Sequence, residues 1–121
     1  MMSEQVVLVT GALAGIGRAT ATAFARDGAS VVVSGRRDEE GKALAAELRG
    51  LGGRVEYIRA DVATEDDVRA LIEGTVEIFG RLNAAVNNAG YTGSVGAGLY
   101  VASKHAVNGQ IVAVNGGKTA A

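Results

Sequence analysis

Cysteine is absent from the 121 residues, which excludes disulfides, thiol chemistry and cysteine-based metal sites. Histidine occurs once, at His105, and one imidazole cannot build a metal centre. Proline is also missing, where average usage of ~5% would give roughly six. Formal net charge is −1, so no basic surface for nucleic acid or acidic lipid is expected. No apolar run approaches the ~18 residues of a membrane span. The first residues lack the charged stretch and long apolar core of a signal peptide, so the expected location is cytoplasmic.

What is abundant is apolar surface and glycine. Apolar residues make up 48% and charged residues 21%, ordinary for a globular chain and enough for one domain over 1–121. Most of the 18 glycines sit at the ends of periodic segments, where turns and helix stops use them. Gln5–Thr10 is nearly continuous in apolar character, as for a parallel strand covered on both faces. Ile16, Ala19, Thr20, Ala23 and Phe24 then follow a helical stripe that Gly28 closes. Ser30–Ser34 predicts a second strand. Asp38 is expected to cap a helix with Leu44, Leu48 and Leu51 on one face, ending at Gly52-Gly53. Arg54–Arg59 alternates as a third strand, with Arg54 and Arg59 on a solvated edge. Thr64 to Asp67 resembles a capping box, opening a helix with Val68, Leu71, Ile72, Val76 and Phe79 on one side and a stop at Gly80. Leu82–Val86 predicts a fourth strand, 99–107 a short helix and Gln110–Val114 a last strand. Strand alternating with helix gives an α/β fold with a parallel sheet.

The first strand runs through Thr10-Gly11-Ala12-Leu13-Ala14-Gly15-Ile16-Gly17 directly into a helix. That context makes the glycines informative: they allow a tight turn and bring backbone N–H groups to a pyrophosphate. The helix start adds a favourable field for the anion. A P-loop is excluded because Arg18-Ala19 follows Gly17 where Lys-Ser/Thr is needed. Gly117-Lys118-Thr119 mimics that motif by chance, having Val112 where the leading glycine belongs. Gly35-Arg36-Arg37 follows the second strand where an acidic residue would hold a ribose 2′-hydroxyl. Gly35 fills that slot, and Arg36 suits a 2′-phosphate. NADP is therefore favoured over NAD.

The spacing Gly11-x-x-x-Gly15-x-Gly17, with Asp61-Val62, Asn87-Asn88-Ala89-Gly90 and Tyr100-x-x-x-Lys104 in that order, resembles the short-chain dehydrogenase/reductase family. The resemblance implies a three-layer Rossmann-type sheet of order 3-2-1-4, with one further strand here. It implies an NAD(P)-dependent oxidoreductase moving hydride between nicotinamide and a small alcohol or carbonyl substrate. The cofactor-binding residues it implies are Gly11, Leu13, Gly15, Ile16, Gly17, Arg36, Asp61, Val62, Asn88, Ala89, Gly90, Tyr100 and Lys104. Its catalytic residues would be Tyr100 for proton transfer, Lys104 beside it, and Ser94 at the substrate oxygen. A free phenol titrates near ~10, and a neighbouring ammonium favours its ionised form.

The chain departs from the family pattern in two places. Only Tyr91-Thr92-Gly93 separates Gly90 from Ser94, where the family has a helix and a strand, and Ser94 lies closer to Tyr100 than the family serine does. A serine in a glycine turn is the other reading of Ser94. A second block is missing between Asn108 and Gly109, including the substrate lid. A shortened design, a degenerate copy and part of a longer chain all fit. A dinucleotide-binding module without turnover is therefore the alternative function. If 1–121 is the whole polypeptide, 99–107 must cross over from the fourth strand and Gln110–Val114 must pair beside it. Apolar faces left uncovered would then favour self-association into a homo-oligomer.

Overall fold

The computed structural model describes residues 5–13, 15–61, 63–87 and 111–113. Among these residues, five strands and three helices follow in the order β1 (Val6–Thr10), α1 (Gly15–Arg26), β2 (Ser30–Gly35), α2 (Asp38–Arg49), β3 (Arg54–Arg59), α3 (Glu65–Phe79), β4 (Ala84–Asn87) and β5 (Ile111–Ala113). The sheet order is β3-β2-β1-β4-β5, and every neighbouring pair is parallel. The last strand lies beside β4, and β3 is an edge. The expected helix over 99–107 lies outside the described residues.

Side-chain alternation along the strands builds two cores. Val7, Val9, Val31, Val33, Val55 and Val86 face one side, where Ala21 and Ala25 of α1 and Leu44, Ala45 and Leu48 of α2 close over them. Leu8, Val32 and Ala85 face the other, against Val68, Leu71 and Ile72 of α3. The result is three layers, helix–sheet–helix. Each large apolar side chain buried in this way contributes about 1.5–3 kcal/mol. Among the described residues, no helix is long and apolar enough to cross a membrane.

Several expectations need correction. The buried line of α1 is Gly17, Ala21 and Ala25, not the Ile16–Ala19–Ala23 stripe; Ile16 is 47% exposed. Small residues won that face because they let the helix lie close to the sheet, while Phe24 packs at its margin. Leu51 lies past the end of α2 and is exposed. Asp38 does not cap α2: the cap position is Arg37, with no side-chain cap bond, and Asp38 is the first helical residue. Thr64 holds the cap position of α3, again without a side-chain bond. Asp67 instead accepts from the Asp61 backbone N–H at 2.8 Å. The fourth strand starts two residues later than expected. Its lead-in is held by Asn83, whose side-chain oxygen accepts from Val6 N at 2.8 Å while its own N–H donates to Val6 O at 2.9 Å. Leu82 is buried like a strand residue but precedes the ladder.

Candidate functional site

The parallel sheet points the C-terminal ends of all its strands to one edge. β2 and β4 lie on opposite sides of β1, so connections from that edge diverge there and leave a crevice, the usual ligand position in such sheets. The residues gathered at that edge are built as follows.

β1 gives way to a loop that turns at Gly11 (φ 62) and again at Gly15 (φ 58), the first residue of α1. Side chains rarely tolerate that backbone conformation. A β-carbon at Gly15 would meet nothing within 4 Å, so the space above the helix start is open. Between the two turns, Ala12 N donates to Ser34 O at 3.1 Å, fastening the loop to the end of β2. Leu13 lies against Gly35, where a β-carbon would stand 2.6 Å from Leu13 Cδ1. Glycine at that position thus does more than vacate an acidic slot: it allows the loop and β2 to meet.

The electrostatics of the three helix starts differ. α2 opens with Asp38, Glu39 and Glu40, and α3 with Glu65, Asp66 and Asp67. Each set complements the positive end of its helix dipole. α1 has no acidic residue in its first turn, so its dipole is not offset by a carboxylate there. Gly17 is buried in that first turn, and Ile16 is exposed beside it. Arg18, next in sequence, is engaged elsewhere, in a two-pronged contact to Glu47 of α2 at 2.9 and 3.1 Å.

Beyond β2 lie three charged residues with different commitments. Arg37 pairs with Glu40 at 3.0 Å. Asp38 faces Arg59 at 3.6 Å and accepts from the Tyr57 hydroxyl at 3.0 Å. The Arg36 side chain is exposed and makes no ion pair or hydrogen bond among the described residues. After β3, Asp61 organises its own turn: its carboxylate accepts from Ala63 N and its carbonyl from Thr64 N, both at 3.0 Å. The Asp61 carboxylate is thus partly spent on local structure. Asn87 ends β4 in register with Thr10.

A dinucleotide fits these residues. The acid-free helix start and open cradle suit a pyrophosphate, and Arg36 is an available cation. The Ser34 hydroxyl, near the end of β2, is buried without a hydrogen-bond partner among the described residues. Val62, Asn88, Ala89, Gly90, Ser94, Tyr100 and Lys104 lie outside the described residues. Sequence reasoning missed the part played by Tyr57, Arg59 and Asp38. The alternation of Arg54–Arg59 does place Tyr57 on the same face as Val55, toward α2, which was the available signal.

Known proteins resemble this chain in sequence and in fold. Residues 5–98 match the family model described as short chain dehydrogenase. A 3beta-hydroxysteroid dehydrogenase of Mediterraneibacter gnavus is 46% identical over 91 residues, which are 75% of this chain and 33% of that protein. An L-fucose dehydrogenase of Oryctolagus cuniculus is 51% identical over 86 residues, 71% of this chain and 29% of that protein. The crystal structure of a short chain dehydrogenase from Burkholderia cenocepacia in complex with NADP superposes with a TM-score of 0.83 at 30% identity, covering 93% of this chain and 55% of that one. The chain spans about a third of the length of the curated relatives it matches.

Proposed function

Because this chain belongs to the short-chain dehydrogenase family, we propose that it forms the dinucleotide-binding part of an NADP(H)-preferring oxidoreductase acting on a small alcohol or carbonyl compound. The observation that carries the reading is the glycine loop, which delivers an acid-free helix start to the sheet edge. Bound there, the nicotinamide ring would supply or accept hydride. Tyr100 would give or take the proton at the substrate oxygen, since a phenol can do either once ionisation is made easier. Lys104, one helical turn away if 99–107 is helical, would ease that ionisation and hold the nicotinamide ribose. Ser94 would donate a hydrogen bond to the substrate oxygen. Gly11, Leu13, Gly15, Ile16 and Gly17 would surround the pyrophosphate, with Val62, Asn88, Ala89 and Gly90 completing the adenosine side beside Asp61.

A second reading is favoured by length. The chain covers about a third of its curated relatives, so dinucleotide binding without turnover is the alternative. Calorimetric titration with NADPH and NADH tests what both readings share. A side chain at buried Gly17 would crowd the pyrophosphate or the helix–strand contact, so Gly17→Val should weaken binding at least tenfold, about 1.4 kcal/mol. Unchanged affinity in that variant would remove the glycine loop from the site. Turnover of simple ketones by the wild type, lost in Tyr100→Phe, would separate the enzyme from the binding module.

A further inference from the structure

The turn after β2 is held by a cluster that the glycine loop does not explain. The Tyr57 hydroxyl approaches two acceptors, the Gly35 carbonyl at 3.1 Å and Asp38 Oδ1 at 3.0 Å, which share its single proton. Arg59 Nε stands 3.6 Å from the same Asp38 oxygen and 3.5 Å from the Arg36 carbonyl. Two side chains of β3 thus grip the backbone of Gly35 and Arg36 and the carboxylate of Asp38. The Tyr57 ring reaches this position because α2 carries glycine at 41, where a β-carbon would run into the ring. Meanwhile Arg37 is paired with Glu40, leaving the Arg36 guanidinium uncommitted.

From this arrangement we infer that Tyr57 and Arg59 are positioning residues for cofactor choice, holding the Gly35–Asp38 turn and compensating the Asp38 carboxylate so that Arg36 dominates the field at a 2′-phosphate. The inference rests on the reading of Arg36 as the 2′-phosphate partner. Charge at close quarters produces this effect. An acidic side chain two residues from Arg36 would repel a dianionic phosphate and draw Arg36 toward itself. A cation and a phenol on Asp38 oppose both effects. An NADH ribose, which carries no such charge, is indifferent to them.

Nicotinamide fluorescence titration of the 121-residue chain with NADPH and with NADH, at low and moderate salt, tests this. Arg36→Ala should lower the NADPH-over-NADH preference, which checks the underlying reading. Arg59→Gln should weaken NADPH threefold to tenfold, more at low salt, with NADH within twofold of wild type. Adding Asp38→Asn to Arg59→Gln should restore NADPH affinity, because the uncompensated charge is then gone. Tyr57→Phe, which keeps the ring in its slot, should shift the preference in the same direction with NADH unchanged. If Arg36→Ala lowers the preference but Arg59→Gln and Tyr57→Phe leave it at the wild-type value, this inference fails and the cofactor reading stands. Equal losses of NADPH and NADH in Tyr57→Phe would make the cluster merely structural and overturn it too. An unchanged preference in Arg36→Ala overturns both.

Discussion

Arg36 stands between two committed arginines. Arg37 pairs with Glu40 and Arg59 with Asp38, so among the described residues only Arg36 has its guanidinium available at this turn. Arg36→Asp should therefore reverse the preference from NADPH to NADH, through lost attraction and added repulsion; equal wild-type affinities for the two cofactors would leave Arg36 as a surface charge. Tyr57 offers an independent check on its own contacts. Burial, the hydrogen bond to Asp38 and that carboxylate's charge together push its pKa from 10.0 to about 12, against a lowering by Arg59. The unfolded chain then releases the phenolic proton first, so this contribution to stability is complete below pH ~10 and lost as pH rises toward ~12. Urea unfolding at pH 9 and pH 11 should show wild type losing more stability than Tyr57→Phe. Parallel losses would mean the phenol is not held as described.

At the scale of elements, the slot that Gly41 leaves in α2 makes a counter-intuitive prediction. Glycine to alanine inside a helix ordinarily stabilises by about 0.8–1 kcal/mol. Here the added carbon meets the Tyr57 ring, and overpacking of this kind costs about 1–3 kcal/mol. Gly41→Ala should therefore be neutral to destabilising by about 2 kcal/mol in urea, yet stabilising once Tyr57→Ala has removed the ring. The strands and helices themselves were largely legible, because valine runs and the spacing of Val68, Leu71 and Ile72 state their own burial. The phase of α1 was not: Gly17, Ala21 and Ala25 carry little hydrophobic signal, and their burial is a matter of size rather than polarity. The caps at Asp38 and Thr64 misled for a different reason. Both motifs are local, and partners from β3 and its following turn claimed Asp38 and Asp67. That the glycine loop and Arg36 lie at the C-terminal edge of the sheet was readable; the Tyr57 cluster was not, because it exists only once β3 lies beside β2 and under α2.

For the whole molecule, a cofactor bound at the proposed edge would couple ligand to stability. A ligand at 100 times its Kd adds about 2.7 kcal/mol to the folded state, which for a chain of this size raises Tm by about 10 °C. NADPH should give that shift in a thermal melt at a concentration where NADH gives less, and Gly17→Val should abolish most of it; identical shifts with both cofactors would remove the preference. The same sheet order has a consequence in time. β1 is central, and its second neighbour, β4, pairs Ala84 with Val7, so the partner for that side of β1 is made only after 76 intervening residues. At about 5–20 residues per second during synthesis, Val6–Thr10 waits about 4–15 s with one row of backbone donors and acceptors unpaired. β2 arrives far sooner, with Ser30 opposite Val6, and closes the other side first. The seam between β1 and β4, at whose C-terminal end the crevice opens, is thus the last side of the central strand to be sewn, and is open to pairing with a neighbouring chain until it closes.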